Sequence, residues 1–234
     1  MALYDAIAGI YDAWSVSVVE DIAFYVGEAR RCEGPVVELA VGSGRIAVPI
    51  AQAGRRVIGI DLSTSMLARA RALAEERGVG ALVDLRVGDL CDPPVTERVP
   101  LVICPFRSFL HLSDEAEKLR ALQAAHDLLE PGGRLVFDVF APSSEDIVET
   151  DGLWLERAVG IFERADWDES SRSLRLSVRS GESTTAMDLH WLSAIEWRRL
   201  IDEAGFDVTD LYGWFDRRPY EGHDDMIWAC HRRD

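Results

Sequence analysis

The feature that most constrains this chain is the run Pro35-Val36-Val37-Glu38-Leu39-Ala40-Val41-Gly42-Ser43-Gly44-Arg45, an apolar stretch that ends abruptly in a glycine-rich turn. Residues Ile46 to Ala53 then carry apolar side chains at helical spacing, so the turn sits between a buried strand and a helix. Gly42 and Gly44 let a ligand lie close against the backbone. The N–H groups that open the following helix are available to an acceptor such as a carboxylate or phosphate. The stretch reads as a strand running into a nucleotide-binding loop.

Glycine spacing alone does not name the ligand, because Gly42, Gly44 and Ala47 also satisfy the dinucleotide pattern G-x-G-x-x-G/A. The next segment, Arg56-Val57-Ile58-Gly59-Ile60-Asp61-Leu62-Ser63, is a second buried strand. It ends in an acid about 20 residues downstream, where a ribose-binding carboxylate is expected. The pair is far more specific than either half.

Length and charge bound the rest. At 234 residues the chain can bury a sizeable core, and one domain over residues 1–234 with an elaboration is the simplest organisation. A formal net charge of -16 argues against DNA, RNA or an anionic membrane as a partner, since binding those relies on a basic face. Cys32, Cys91, Cys104 and Cys230 are scattered, with no C-x-x-C pair and no histidine at zinc-ligand spacing. They read as free thiols, and no metal is expected. Asp5, Asp12, Glu20 and Asp21 interrupt the N-terminal apolar positions, which argues against a signal peptide. No apolar run approaches the roughly 20 residues of a membrane span, so a soluble, cytoplasmic protein is expected.

Residues 3 to 31 read as two helices, because Leu3, Ile7 and Ile10 and then Val18, Ile22, Phe24 and Val26 recur near a 3.6 period. Tyr4, Tyr11 and Trp14 on the first either close over a ligand at the sheet edge or serve as packing. After Asp61, Ser63 or Thr64 caps a helix through about Arg77, with Met66, Leu67, Ala70 and Leu73 as its inward stripe. A third strand, Leu82 to Val87, ends in Gly88-Asp89-Leu90, where open α/β sheets bind ligands. Val99 to Pro105 is a fourth strand and Phe106 to Leu112 the loop leaving it. Ser113 to Leu129 is a helix, stopped by Pro131-Gly132-Gly133 before a fifth strand at Arg134 to Phe140.

Up to here strands and helices alternate, as in a parallel sheet with helices on both faces. From Leu153 to Leu192 the pattern changes to extended runs, Trp154 to Ala165, Ser173 to Val178 and Thr184 to Trp191, as in an antiparallel meander. Ser193 caps a helix through about Ala204, and Gly205 ends it. Phe206 to Phe215 and Met226 to His231 are closing strands, joined by a polar connection from Asp216 to Asp225.

The joint pattern resembles the class I S-adenosylmethionine-dependent methyltransferases, specifically the small-molecule enzymes that include amino-sugar N,N-dimethyltransferases. Glu38-Leu-Ala-Val-Gly42-Ser-Gly44-Arg is similar to their first motif, Gly59-Ile-Asp61-Leu-Ser63 to the second and Gly88-Asp89-Leu90 to the third. Leu129-Glu-Pro131-Gly132-Gly133-Arg-Leu-Val resembles their helix-to-strand signature, and Ala204-Gly205-Phe206 their late helix stop. The resemblance implies a Rossmann-like α/β fold: a seven-stranded, mostly parallel sheet with helices on both faces, its last strand antiparallel. Residues 1–31 would form a helical cover, 32–141 the cofactor-binding core, 153–192 a β insertion over the active site and 193–234 the closing helix and strands.

It also implies cofactor roles. Gly42 and Gly44 would abut the amino-acid and ribose portions of S-adenosylmethionine, Asp61 would accept both ribose hydroxyls, Asp89 the adenine amine, and Leu90 would donate its backbone N–H to the ring. Glu38 would attract the ammonium, and Tyr11, Ala40, Arg45, Leu62, Met66, Gly88 and Pro105 complete the candidate cofactor set. Ala40 stands where many relatives have glycine or a small polar residue. Phe106-Arg107-Ser108-Phe109 lacks the Asn/Asp-Pro-Pro-Tyr/Phe signature of enzymes that methylate nucleic-acid amines, which argues against a nucleobase acceptor.

Methyl transfer is an in-line displacement at a sulfonium carbon that leaves S-adenosylhomocysteine; alignment of the nucleophile supplies much of the acceleration. An amine must first be deprotonated, so a nearby base helps. His111, in the loop after the fourth strand, is the candidate catalytic residue. Trp14, Phe106, Arg107, Tyr220 and His223 are the candidate substrate residues, and Trp154, Phe162, Trp167 and Trp191 either shape an acceptor pocket or form plain core. An amine nitrogen is favoured over oxygen as acceptor. The competing readings are a nicotinamide-dependent oxidoreductase and a non-catalytic S-adenosylmethionine-binding protein. Oligomeric state is not legible in the sequence.

Overall fold

The computed structural model describes residues 3–15 and 19–234; Val18, counted above as a helical position, lies outside the described residues. After a 3-10 turn at Leu3–Ala6 come α1 (Tyr11–Trp14), α2 (Glu20–Arg30), β1 (Val36–Leu39), α3 (Ala47–Gln52), β2 (Val57–Asp61), α4 (Thr64–Glu76), β3 (Val83–Val87) and β4 (Val99–Cys104). A further 3-10 turn precedes β3 at Gly80–Leu82, and another at Ser108–His111 leads to α5 (Glu115–Leu128), β5 (Leu129–Ala141) and α6 (Ser144–Thr150). The antiparallel strands β6 (Trp154–Ala158), β7 (Ile161–Asp168), β8 (Ser173–Ser180) and β9 (Ser183–His190) follow, then α7 (Ala194–Glu203), β10 (Phe206–Tyr212) and β11 (Asp224–Arg232).

The main sheet has seven strands in the order β10-β11-β5-β4-β1-β2-β3. Strands β1 to β5 are parallel, and β11 runs against β5 and β10. The chain runs outward from β1 to β3 and then returns to lay β4 on the other side of β1. A crevice opens at the carboxyl ends of strands where the order reverses in this way, and that is where such sheets bind ligands.

Period-two alternation divides the core between the two faces. Val37 and Leu39, Ile58 and Ile60, and Leu135, Phe137 and Val139 join α5 and α7 through Leu122, Trp197 and Leu200. Val36, Val57, Leu101, Ile103 and Val136 point the other way, onto Phe24, Tyr25 and Ala29 of α2 and Ile50 of α3. Central strands buried on both faces read as continuous apolar runs, which is why β1 and β2 stand out in the sequence. A third cluster joins Ile7, Tyr11 and Trp14 to Met66 and to Ile161, Val178 and Met187 of the smaller sheet.

Several expected boundaries move, each for a local reason. The first predicted helix is a 3-10 turn followed by one α-helical turn, too short for regular periodicity. Ser63, not Thr64, caps α4, accepting from Met66 N at 3.1 Å. Asp114, not Ser113, caps α5; Ser113 instead donates its N–H and hydroxyl to Glu117. Extended backbone resumes at Leu129, with the glycine pair absorbed in a register shift between β4 and β5 and Gly132 at φ 72. The expected run from Trp154 to Ala165 is two strands, because Gly160 at φ 72 turns the chain back. Helix α6, begun by a capping box between Ser143 and Asp146, was not anticipated.

Candidate active site

The three strand tips β1, β2 and β3 are tied together by Asp61. Its Oδ2 accepts from Gly42 N at 2.9 Å and its Oδ1 from Ser63 N at 2.8 Å. Its backbone carbonyl accepts from Gly88 N at 3.1 Å. Burial pushes the Asp61 carboxyl up from its ordinary pKa, and those backbone N–H groups oppose the shift. The glycine turn is formed by left-handed residues Ala40 (φ 57), Gly42 (φ 55) and Gly44 (φ 83). A Cβ on Gly44 would meet Ala70 at 3.1 Å, so its absence lets the turn and α4 approach. Gly88 is needed for a different reason: a Cβ there would overlap Pro94 at 2.3 Å.

Glu38 is buried beside this turn, and its Oε2 has no hydrogen-bond partner in the protein. Burial raises its pKa well above the usual carboxylate range; Arg45 opposes that, while Asp21 and Asp61 add to it. Arg45 itself is gripped by buried Asp21, at 2.8 Å in one of its contacts, and lies 4.8 Å from the centre of the Phe106 ring. Asp89 is exposed at the tip of β3 and accepts from Cys91 N at 2.8 Å.

The N-terminal segment crosses from this cleft to the smaller sheet. Asp5 accepts from the Ser63 hydroxyl at 2.5 Å, beside Asp61. Tyr4 Oη lies 2.8 Å from His111 Nε2 and donates toward Met187 Sδ at 3.5 Å. Trp14 Nε1 donates to Glu163 on β7 at 2.7 Å. Burial, reinforced by Lys118 and His190, lowers the His111 pKa to about 4, so its imidazole is neutral at physiological pH.

Behind Tyr4 and Trp14 lies a cavity of about 830 Å³ between the two sheets. One wall is a single face of the smaller sheet, set by period-two alternation. Trp167 and Leu174 stand in one cross-strand row with Leu189, and Ala165 and Leu176 stand in the next with Met187. The opposite wall carries Phe106, Arg107, His111 and Phe140, and the rim carries His223 and Asp225. Arg107 donates to Asp225 Oδ1 at 2.7 Å and lies 4.9 Å from the centre of the Phe140 ring.

A methyltransferase-domain family model matches residues 36–133, which run from β1 to the glycine pair of β5. A protein of Geobacillus sp. (strain WCH70) named as a methyltransferase is 28% identical over 94% of this chain and 92% of its own length. The cypemycin N-terminal methyltransferase of a Streptomyces species is 26% identical over 84% of this chain and 82% of its own. The solved CcbJ methyltransferase from Streptomyces caelestis superposes with a TM-score of 0.87 over 99% of this chain and 98% of its own, at 24% identity, a likeness of fold. Residues 36–133 of this chain form a methyltransferase domain, S-adenosylmethionine-dependent in kind.

The nicotinamide reading is thereby set aside. The residues present fit the cofactor of that domain: beside the glycine turn, the orphaned, buried Glu38 Oε2 is the acceptor that an ammonium group would satisfy.

The candidate residues separate into groups. Glu38, Ala40, Gly42, Gly44, Asp61 and Gly88 lie at the joined strand tips, with Leu62 exposed beside them and Leu90 half-buried against the main core. Met66 is buried against Tyr11 and Ile7. Pro105 is buried and its carbonyl accepts from the Ser108 hydroxyl at 2.7 Å. Trp14, Phe106, Arg107, His111 and His223 line the cavity; Tyr220 packs on the main core instead. Of the four meander aromatics, Trp167 lines the cavity, Trp191 is core, and Trp154 and Phe162 flank the Arg179 guanidinium. Sequence reasoning missed Asp138 and Glu163. An acid inside the apolar run Leu135 to Phe140 was the available signal for the first; an acid in an alternating strand carries none.

Proposed function

We propose that the methyltransferase acts on an amine nitrogen of a small molecule larger than a free amino acid, seated in the cavity behind Tyr4 and Trp14. The observation that carries this reading is a neutral, half-buried imidazole on the wall of a cavity of about 830 Å³. That volume lies within the roughly 300–1,000 Å³ of pockets for drug-sized ligands. The cypemycin N-terminal methyltransferase, by its name, also acts on an amine.

In this reading Asp61 takes the ribose hydroxyls of S-adenosylmethionine, Glu38 its ammonium, and Asp89 and Leu90 its adenine, with Tyr11, Met66 and Pro105 nearby. When bound, the cofactor supplies an electrophilic methyl group. The chain's residues bind, orient and exclude water. A His111 pKa of about 4 is too low to store a proton at neutral pH. It therefore acts as a neutral hydrogen-bonding partner for Tyr4 and the acceptor nitrogen. An amine presents a usable fraction of free base in solution near pH 8, whereas an alcohol needs a strong base that this imidazole does not supply. The acceptor's proton leaves to water before transfer.

The test is labelled methyl transfer from S-adenosylmethionine to a metabolite pool, run before and after acetylating the pool's amines. Acetylation is expected to abolish labelling by the wild type. Persistent labelling would overturn the amine assignment. Asp61→Ala is expected to weaken S-adenosylhomocysteine binding by about a hundredfold, the loss of roughly two hydrogen bonds to a charged group.

A further inference from the structure

Asp138 lies in the middle of β5 between buried Phe137 and Val139, and is itself 2% exposed. A carboxylate held there is costly unless its oxygens are satisfied. Three donors converge on it. Oδ1 accepts from the Tyr25 hydroxyl of α2 at 2.6 Å and from Phe106 N at 2.9 Å, and Oδ2 accepts from Arg107 N at 3.0 Å. Phe106 and Arg107 are consecutive left-handed residues, at φ 58 and 62. Non-glycine residues hold that conformation only when their surroundings determine it. Two peptide N–H groups aimed at one carboxylate determine it here.

The side chains then part. The Phe106 ring meets Tyr11 and Arg45 on the cofactor side, while Arg107 pairs with Asp225 over Phe140 on the cavity side.

We propose that Asp138 is a positioning residue for methyl transfer: by clamping the Phe106 and Arg107 peptides it sets the wall between the cofactor cleft and the acceptor cavity, and with it the alignment of the acceptor. The proposal rests on the cavity being the acceptor site. Asp138 touches neither ligand; it acts through the loop. Misplacement of about 1 Å at such a wall costs about a hundredfold in rate.

Asp138→Asn preserves shape but turns one acceptor oxygen into a donor, so one of the two peptide N–H groups loses its partner whichever way the amide turns. Three measurements compare it with the wild type: hydrogen exchange at residues 106 and 107, S-adenosylhomocysteine affinity, and kcat for labelled transfer to the metabolite pool. Exchange is expected to rise about tenfold and kcat to fall about a hundredfold, with S-adenosylhomocysteine affinity within about threefold of wild type. Tyr25→Phe leaves both peptides bonded, and exchange at residues 106 and 107 should match wild type. Unchanged exchange in Asp138→Asn would overturn the proposal. So would faster exchange with unchanged kcat, or parallel loss of cofactor affinity and turnover.

If the wild type labels nothing in the pool, the acceptor reading fails by itself. Exchange and S-adenosylhomocysteine affinity still decide the clamp. If Asp138→Asn does not fold, the wild type decides. Burial pushes Asp138 up to about 6, against Tyr25 and Arg107, with Asp21, Asp225, Cys104 and Arg45 as the other charged or titratable neighbours. In the wild type the Phe106 and Arg107 amides, bonded to Asp138, should exchange at least about tenfold more slowly than unprotected amides, and free exchange at both would overturn the clamp.

Discussion

His111 shows how burial alters what a residue can do. In water an imidazole titrates near pH 6.5, but this one titrates near 4 because the charged form is taken out of solvent beside Lys118 and His190. A folded-state pKa below the unfolded value means that the unfolded chain binds more protons between the two. The stability linked to His111 is therefore fully present above about pH 6.5 and is lost as pH falls toward 4, by up to about 3 kcal/mol. His111→Gln should lack that loss. Its stability relative to wild type should improve by about that amount between pH 7 and pH 4, as read from urea midpoints at each pH. A pH-independent difference would show that the imidazole is protonated in the folded state.

At the scale of elements, helix α2 is fixed by charge as well as by its apolar face. Glu28 is buried and meets Arg134 of β5 at 2.6 Å, Arg31 at 3.2 Å, and Arg217 of the closing connection. Arg217 and Arg134 hold its carboxyl below the usual range despite burial. Arg217 also lies over the ring of Phe24, so one acid joins α2, the sheet and the 213–223 connection. Removing one partner of a buried charge cluster leaves the others uncompensated, at about 3–5 kcal/mol. Glu28→Gln is therefore expected to cost about 3 kcal/mol at pH 7 in denaturant unfolding. A depressed pKa gives stability present above the unfolded value and lost as pH falls through the folded one. The cost of the substitution should accordingly shrink below about pH 4.

At the scale of the whole molecule, a net charge of -16 over 234 residues places excess acid on the surface. Arginine pairs such as Arg175 with Asp188 and Arg56 with Glu97 relieve it locally, but the surplus repels itself. Raising NaCl from roughly 0.02 M to 0.3 M shortens the Debye length severalfold and should raise the thermal midpoint. A gain of about 1 kcal/mol corresponds to about 2–4 °C for a chain of this size. A falling midpoint would show that attractive pairs outweigh the repulsion. No helix among the described residues is long and apolar enough to cross a membrane.

The sequence by itself determined the strand–glycine–helix start, the alternation that builds a sheet buried on both faces, and the acid at the tip of β2. These are local: each follows from spacing within one or two elements, and the period of apolar residues reports directly which face they occupy. Tertiary structure alone decided the cavity, because Trp14, Arg107, Trp167 and Asp225 come from segments scattered along the chain. It also decided the neutrality of His111 and the clamp at Asp138. Burial, not residue type, sets how a titratable group behaves, and burial is a property of what the rest of the chain lays over it.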